Sequence, residues 1–334
     1  MLNTYKQVQG AERIALVLGG AGFIGTALMP ALKNYSIVCI DNLLYNQYAP
    51  RFPFIKMDLT DTQSVKNLVE MFKACNVELI INAAGTVGVH NVYEDPRQCN
   101  NNNLRIIMNT MYLMEAWPKA RFVFISTSEA YGSSNNCVED SPLCVLNPDE
   151  SLRGTYVATK LAGEYTVASN AENYTILRPF NITGAGQPEY HRMVIPTFVH
   201  NVMQGKPIQI YGDGTQTRSF CSREQCVYAI SRLVDMPEAN RQIINVGSPN
   251  KNCQLSIADL ADFVVEFAHT KGMSAQIVAA VYPYGDYSRN TEIQQRIINV
   301  NKLCTLLPEY AKKFESFDMH YIISSIWDHY VENM

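Results

Sequence analysis

Short apolar runs alternate with amphipathic stretches through the first half of the chain. Residues 14–18 form an unbroken apolar run that ends in glycines. Residues 36–40, 77–81, 121–125 and 174–177 repeat the pattern, and 54–57 is a shorter version. Unbroken runs of this length are strands buried on both faces. Residues 24–32, 62–72, 104–117 and 156–168 read as the helices between them. Strands separated by helices imply a parallel sheet covered on both sides, so the pattern predicts an α/β, doubly wound, Rossmann-type fold. From about Pro179 the alternation ends. Loops with Gly184, Gly186, Pro188, Gly212 and Gly214 follow, with shorter helices at 256–268 and 320–330. This predicts a first lobe over 1–180, to which about 215–248 returns, and a smaller mixed α/β C-terminal lobe over 181–334. The asparagine run at 100–103 reads as the approach to a long helix, and no internal repeat is present.

Composition narrows the classes. With 334 residues, 47% hydrophobic and 17% charged, the chain has the make-up of a soluble globular protein large enough for two lobes. A net charge of -4 without any basic run argues against nucleic acid as a partner. No apolar run approaches the roughly 18 residues of a membrane span, and the first 13 residues carry no apolar signal core, so a cytoplasmic protein is expected. The nine cysteines are scattered and odd in number, which favours free thiols. Cys221 and Cys226 lack neighbouring ligands in sequence, so no metal site is expected.

Two constellations carry chemistry. Gly19, Gly20, Gly22 and Gly25 follow the first strand and open the first predicted helix, the context in which glycines let backbone approach a pyrophosphate. Asp41 ends the second strand about 20 residues later, where a carboxylate accepts from ribose hydroxyls and favours NAD over NADP. Asp58, after the third strand, is placed to contact adenine. The second constellation is Thr127, Ser128 and Glu129 with Tyr156 and Lys160. Tyr156 and Lys160 are four apart and share a helix face. A neighbouring ammonium is expected to lower the tyrosine pKa, giving a base for a sugar or alcohol hydroxyl. Thr127 stands at the C-terminal end of the fifth strand, where open parallel sheets hold their active sites.

With these residues together, the chain resembles the extended short-chain dehydrogenase/reductases that modify nucleotide sugars. The likeness runs through Gly19 to Gly25, Asp41, Ala83, Ala84, Thr127 to Gly132, Tyr156, Lys160, Arg178 to Asn181, Gly212 to Arg218 and Asn245 to Gly247. It implies NAD held by Gly19, Gly22, Phe23, Ile24, Gly25, Asp41, Asn42, Asp58, Leu59, Ala83 and Ala84, with Tyr156 and Lys160 at its nicotinamide end. It implies that Tyr156 takes a proton from a sugar hydroxyl, usually at carbon 4, with Thr127 bonded to the same oxygen, to give a 4-keto sugar. By the same likeness Asn181 and Arg218 bind the nucleotide diphosphate and Thr86 lines the sugar pocket.

The Thr-Ser-Glu triplet at 127–129 is similar to UDP-glucuronate decarboxylases and GDP-mannose 4,6-dehydratases, which makes Glu129 the candidate for a second step beside Ser128. Arg153 and Arg296 lean towards the decarboxylases, with Arg296 expected to hold a substrate carboxylate or phosphate. The resemblance thus implies a decarboxylase or 4,6-dehydratase, with an epimerase as the alternative and a non-catalytic nucleotide-binding regulator as a remote one. Relatives pair through two helices, so a homodimer with a four-helix bundle built from 104–117 and 156–168 is expected. The chain departs from the family at Ile81-Asn82-Ala83-Ala84, where relatives have His-Leu-Ala-Ala. It departs again at Cys221 to Cys226, in place of an aromatic-Val-Asp-Asp run. His90 and His191 read equally as loop histidines or substrate contacts.

Overall fold

The first apolar run becomes β1 (Ile14–Leu18), buried along its whole length. In the computed structural model, which describes residues 1–44, 51–135, 137–145, 153–188, 192–281 and 293–333, β1 lies inside a seven-stranded parallel sheet. On one side stand β2 (Ser36–Asp41) and β3 (Phe54–Lys56). On the other stand β4 (Val77–Asn82), β5 (Arg121–Ile125), β6 (Asn173–Pro179) and a seventh strand, Gln242–Val246. The chain winds outward from β1 to β3, then crosses back to β4. That reversal opens a crevice at the carboxyl ends of β1 and β4, the place where open sheets bind ligands.

Successive residues of β1 point to opposite faces and meet different helices. Leu16 and Leu18 join a core with Val65, Leu68 and Phe72 of α3 (Thr62–Phe72), Ile107 and Leu113 of α5 (Pro96–Ala116) and Val167 of α6 (Arg153–Asn170). Ala15 and Val17 join a second core with Leu28 of α2 (Phe23–Leu28) and Ile230 and Leu233 of α8 (Arg223–Leu233). Leu303, Leu307, Tyr310 and Phe314, from late in the chain, also pack there. A third core gathers Phe198 of α7 (Val194–Met203), Ile208, Leu260 of α9 (Ile257–Thr270) and Trp327 of the C-terminal helix Met319–Asn333. Among the described residues, no helix is long and apolar enough to cross a membrane.

Several boundaries differ from the sequence reading, each for a local reason. The helix expected over 24–32 ends at Leu28 and tightens into a 3₁₀ turn, Met29–Ala31, because Pro30 cannot donate to an α-helical ladder. Helix α5 starts at Pro96, capped by Asp95, whose carboxylate accepts from Gln98 N at 2.8 Å. The asparagine run therefore lies within the helix and not ahead of it. The polar N-terminus forms α1 (Leu2–Val8), held by Thr4 Oγ1 donating to Phe54 O at 2.7 Å and by Tyr5 edge-on to Phe72.

Helix α6 carries the Tyr-Lys pair and sits flush on β5 because of Gly163. A Cβ there would stand 2.4 Å from the Phe124 ring. Gly163→Ala must push that buried ring or lift the helix, at a cost of about 1–3 kcal/mol. A lower melting temperature is the expected result, and an unchanged one would refute the close approach.

Candidate active site

The crevice opens into a cavity of about 1270 Å³ that runs from the glycine turn across to α7 and the strand Ile208–Tyr211. Pockets for one small ligand are roughly 300–1,000 Å³, so this one has room for two. Apart from Gly20 of the glycine turn and Arg296, the expected cofactor, substrate and catalytic residues line it. Gly19, at φ 74°, turns the chain so tightly that a Cβ would lie 2.6 Å from Ala84 N; Gly25 would meet Gly20 Cα at the same distance. These absent side chains leave a bare backbone floor, the form a dinucleotide needs. Asp41 accepts from Ala21 N at 3.1 Å and Leu43 N at 2.8 Å. Burial pushes its carboxyl up, while those two donors pull it down. Asn42 accepts from Leu44 N, and Asp58 from Thr60 N, so both side chains shape the loops that carry them. Leu59 is buried against the core and its carbonyl accepts from Asn109. The residues present therefore fit an NAD site. Among the described residues, no cluster of three metal-ligating side chains occurs.

At the other end, Thr127 caps a 3₁₀ turn, Ser128–Tyr131, by accepting from Glu129 N at 3.1 Å. Its hydroxyl also hydrogen-bonds the Tyr156 phenol. Lys160 does not do what the sequence suggested. Its Nζ donates to Ile125 O at 2.9 Å and lies 5.9 Å from the Tyr156 ring centroid. Burial pushes the Tyr156 phenol above its ordinary value; the Thr127 bond lowers it and the Glu129 charge raises it. In this arrangement the hydroxyl of Thr127, and not the ammonium, favours the phenolate.

Lys160 is itself perturbed. Burial lowers its pKa to about 8, against opposing effects of Cys99 and Glu164. An unfolded lysine titrates near ~10.4, so from about 8 up to that value the unfolded chain holds the extra proton and stability rises with pH. Below about 8 the cost of the buried ammonium is felt in full. Lys160→Met is thus expected to melt a few degrees above wild type near neutral pH, with the gap closing as pH rises. Melting curves across that range check it, and a gap independent of pH would contradict it.

Glu129 is gripped by Arg153, whose Nη2 donates to both carboxylate oxygens at 2.9 and 3.0 Å. Burial alone would raise its pKa, but Arg153, Arg296 and Arg218 outweigh this and hold it below the usual carboxylate range. Arg296 corrects the sequence reading. It is 1% exposed and lies behind the turn, donating to Ser128 O and Gly132 O, with Glu129 at 3.8 Å. It holds the Glu129 turn in place and does not face the cavity. Asn181 donates to Ser219 O at 2.8 Å, and Arg218 to Ile293 O at 2.6 Å, and both still border the cavity. His90 lines it too, 3.8 Å from Glu94; His191 lies outside the described residues.

Sequence reasoning passed over Asn103. Buried in α5, it accepts from Thr86 N at 2.8 Å and donates to Thr86 O at 3.1 Å and Thr159 Oγ1 at 3.3 Å. It clamps the Thr86 loop to the helix that carries Tyr156. The signal was present, since asparagines are poor helix formers and a run of them inside a helix needs a reason. Beneath the turn, Glu164 accepts from Ser126 and pairs with Arg178, which stacks at 4.8 Å on Tyr131. Tyr131 in turn donates to Asn245 of the seventh strand at 2.8 Å.

The chain is similar to several known proteins along most of its length. The chain is 27% identical over 307 residues to UDP-N-acetyl-alpha-D-glucosaminuronate decarboxylase of Bacillus cytotoxicus, covering 87% of this chain and 91% of that one. It is 28% identical over 273 residues to dTDP-D-glucose 4,6-dehydratase of Dictyostelium discoideum, covering 73% and 60%. Its fold is similar to that of UDP-glucuronic acid 4-epimerase from Bacillus cereus, solved with UDP-glucuronic acid and NAD. That match has a TM-score of 0.75 and 25% identity, over 96% of this chain and 100% of that one. Residues 15–247 match the model of the NAD dependent epimerase/dehydratase family from β1 through the seventh strand, and the chain belongs to that family.

Proposed function

We propose that this chain oxidises carbon 4 of a nucleotide-linked uronic acid and then releases carbon dioxide from the 4-keto sugar. Bound NAD supplies the acceptor for the carbon 4 hydride and can return it. Tyr156, bonded to Thr127, receives the hydroxyl proton. Lys160 orients the cofactor end of the site, while Asn181 and Arg218 take the substrate diphosphate, a role for which a guanidinium fork is suited.

The observation that carries the second step is the state of the triplet. Dehydration needs an acid to protonate a departing hydroxyl. Here Ser128 has no acidic proton to give near neutral pH, and arginines hold Glu129 ionised. Loss of carbon dioxide needs only the electron sink of the neighbouring ketone. Likeness to a decarboxylase over most of both chains supports the same choice. An epimerase is the second reading, favoured by the structural match to a glucuronic acid 4-epimerase.

Incubation with UDP-, GDP-, dTDP- and CDP-linked sugars and uronates, followed by mass spectrometry, tests this. A product lighter by carbon dioxide is expected. Loss of water, or an isomer of equal mass, would replace the proposal with dehydration or epimerisation. Homodimerisation belongs to the same proposal, because Leu104 and Met108 of α5 and Tyr165 of α6 are 36%, 56% and 73% exposed. A second copy of the same helix pair would cover them in a four-helix bundle. Sedimentation as a monomer at micromolar concentration would refute it.

A further inference from the structure

Arg223 opens α8 in the segment that departs from the family pattern. Its guanidinium lies 5.2 Å from the ring centroid of Phe23, and its Nε is buried without a hydrogen-bond partner. Glu224, its chain neighbour, has a buried Oε2 that also lacks one. The ion pairs found among the described residues do not include Arg223. Burial pulls its pKa below the ordinary arginine value, and Glu224 offsets this only in part. A half-buried cation that Glu224 compensates only in part can still take a further counter-charge.

What lies in front of it is the cavity. Phe23 and Gly186 both form its wall, and Arg223 stands directly behind them. Gly186 has φ 74°, and a Cβ on it would lie 3.4 Å from Arg223 Nη1 and 3.9 Å from His329 Nε2. At Gly186 no side chain stands between the guanidinium and the wall of the cavity. Phe23 belongs to the glycine turn, while Gly186 lies on the loop that follows Asn181, so the cation sits where the two nucleotide-facing walls meet.

We propose that Arg223 is a diphosphate-binding residue, passing beside Gly186 to pair with the diphosphate of a nucleotide in the cavity. A guanidinium presents a fork of donors that matches phosphate oxygens, and the bound anion supplies the missing counter-charge. The inference rests on the reading that nucleotides occupy this cavity. Both the cofactor and the nucleotide sugar carry the required chemistry.

Calorimetric titration of the cofactor-free full chain with NAD and, separately, with UDP distinguishes the sources. Arg223→Met is expected to weaken one of the two by roughly 10- to 100-fold and to flatten the salt dependence of that affinity. Arg223→Lys should restore part of it. Loss with NAD alone assigns Arg223 to the cofactor diphosphate, and loss with UDP alone to the substrate diphosphate. Because the half-buried Arg223 is compensated only in part by Glu224, the ligand-free melting temperature of Arg223→Met should stay level or rise. Affinities equal to wild type for both ligands overturn the proposal. A lower ligand-free melting temperature with unchanged affinities also overturns it and makes Arg223 a packing residue. A wild type that binds neither NAD nor UDP removes the functional reading itself, which is a distinguishable failure.

Discussion

Tyr156→Phe is expected to lower turnover of the nucleotide sugar by roughly 10²–10⁴-fold while leaving NAD affinity unchanged. The substitution deletes one oxygen and keeps the ring, so helix α6 and the cavity wall retain their shape. The deleted oxygen is the group that Thr127 hydrogen-bonds, at the end of β5 on the cavity wall. Its pH behaviour follows from its surroundings. Burial and the Glu129 charge push the phenol up, so near neutral pH it rests protonated. Lys160 is engaged with Ile125 O and is not among the groups that shift the phenol. Wild-type turnover should therefore rise with pH as the phenolate becomes accessible, and the residual rate of Tyr156→Phe should show no such rise. Turnover by mass spectrometry and NAD affinity by calorimetry together check the expectation. Retention of more than roughly a tenth of wild-type turnover would remove Tyr156 from the chemistry.

The parts of this molecule that local chemistry determines could be read from the sequence. Apolar runs marked β1 to β6: β1 is unbroken, and single polar positions such as Glu78 in β4 and Thr175 in β6 leave enough apolar neighbours to show a strand covered on both faces. The seventh strand escaped notice for the opposite reason. Asn245 interrupts its apolar run, yet it is fully buried, bonded to Tyr131, Glu139, Cys137 and Asn299 from distant parts of the chain. No local rule foresees a buried asparagine satisfied from four sides. The glycine turn, Asp41, Thr127 and Tyr156 were legible because their spacing relative to strands and helices is itself the signal. Arg296 was misjudged because its place depends on a turn 168 residues earlier, whose carbonyls need a donor. The Lys160 geometry was misjudged for a related reason. Four-residue spacing puts two side chains on one face, but the carbonyl of Ile125, at the end of the neighbouring strand, decides where the ammonium points.

Glu129→Gln should separate the two chemical steps. The amide matches the carboxylate in size but cannot accept a proton, and it carries no charge to complement the arginines around it. If Glu129 acts only after the ketone forms, the variant still oxidises carbon 4. Reduced cofactor and keto sugar then accumulate, while release of the final product falls by roughly 10²–10⁴-fold. A role confined to ordering the turn predicts a different pattern. Arg296 fixes the Ser128 and Gly132 carbonyls of the turn that also carries Thr127. Disorder there would slow the first step as much as the second. The ratio of the two rates, taken from cofactor reduction and product mass in one time course, therefore decides between them. A second measurement fixes the charge state. Because Arg153, Arg296 and Arg218 hold the Glu129 pKa below its unfolded value, its stabilising contribution is present above that unfolded value. It is lost as pH falls through the folded one. Wild type should melt above Glu129→Gln at neutral pH, and the two should converge in acid. Convergence together with equal slowing of both steps would leave Glu129 as a structural counter-ion. Convergence together with trapped keto sugar would give Glu129 a part in the second step, which decarboxylation driven by the ketone alone does not require.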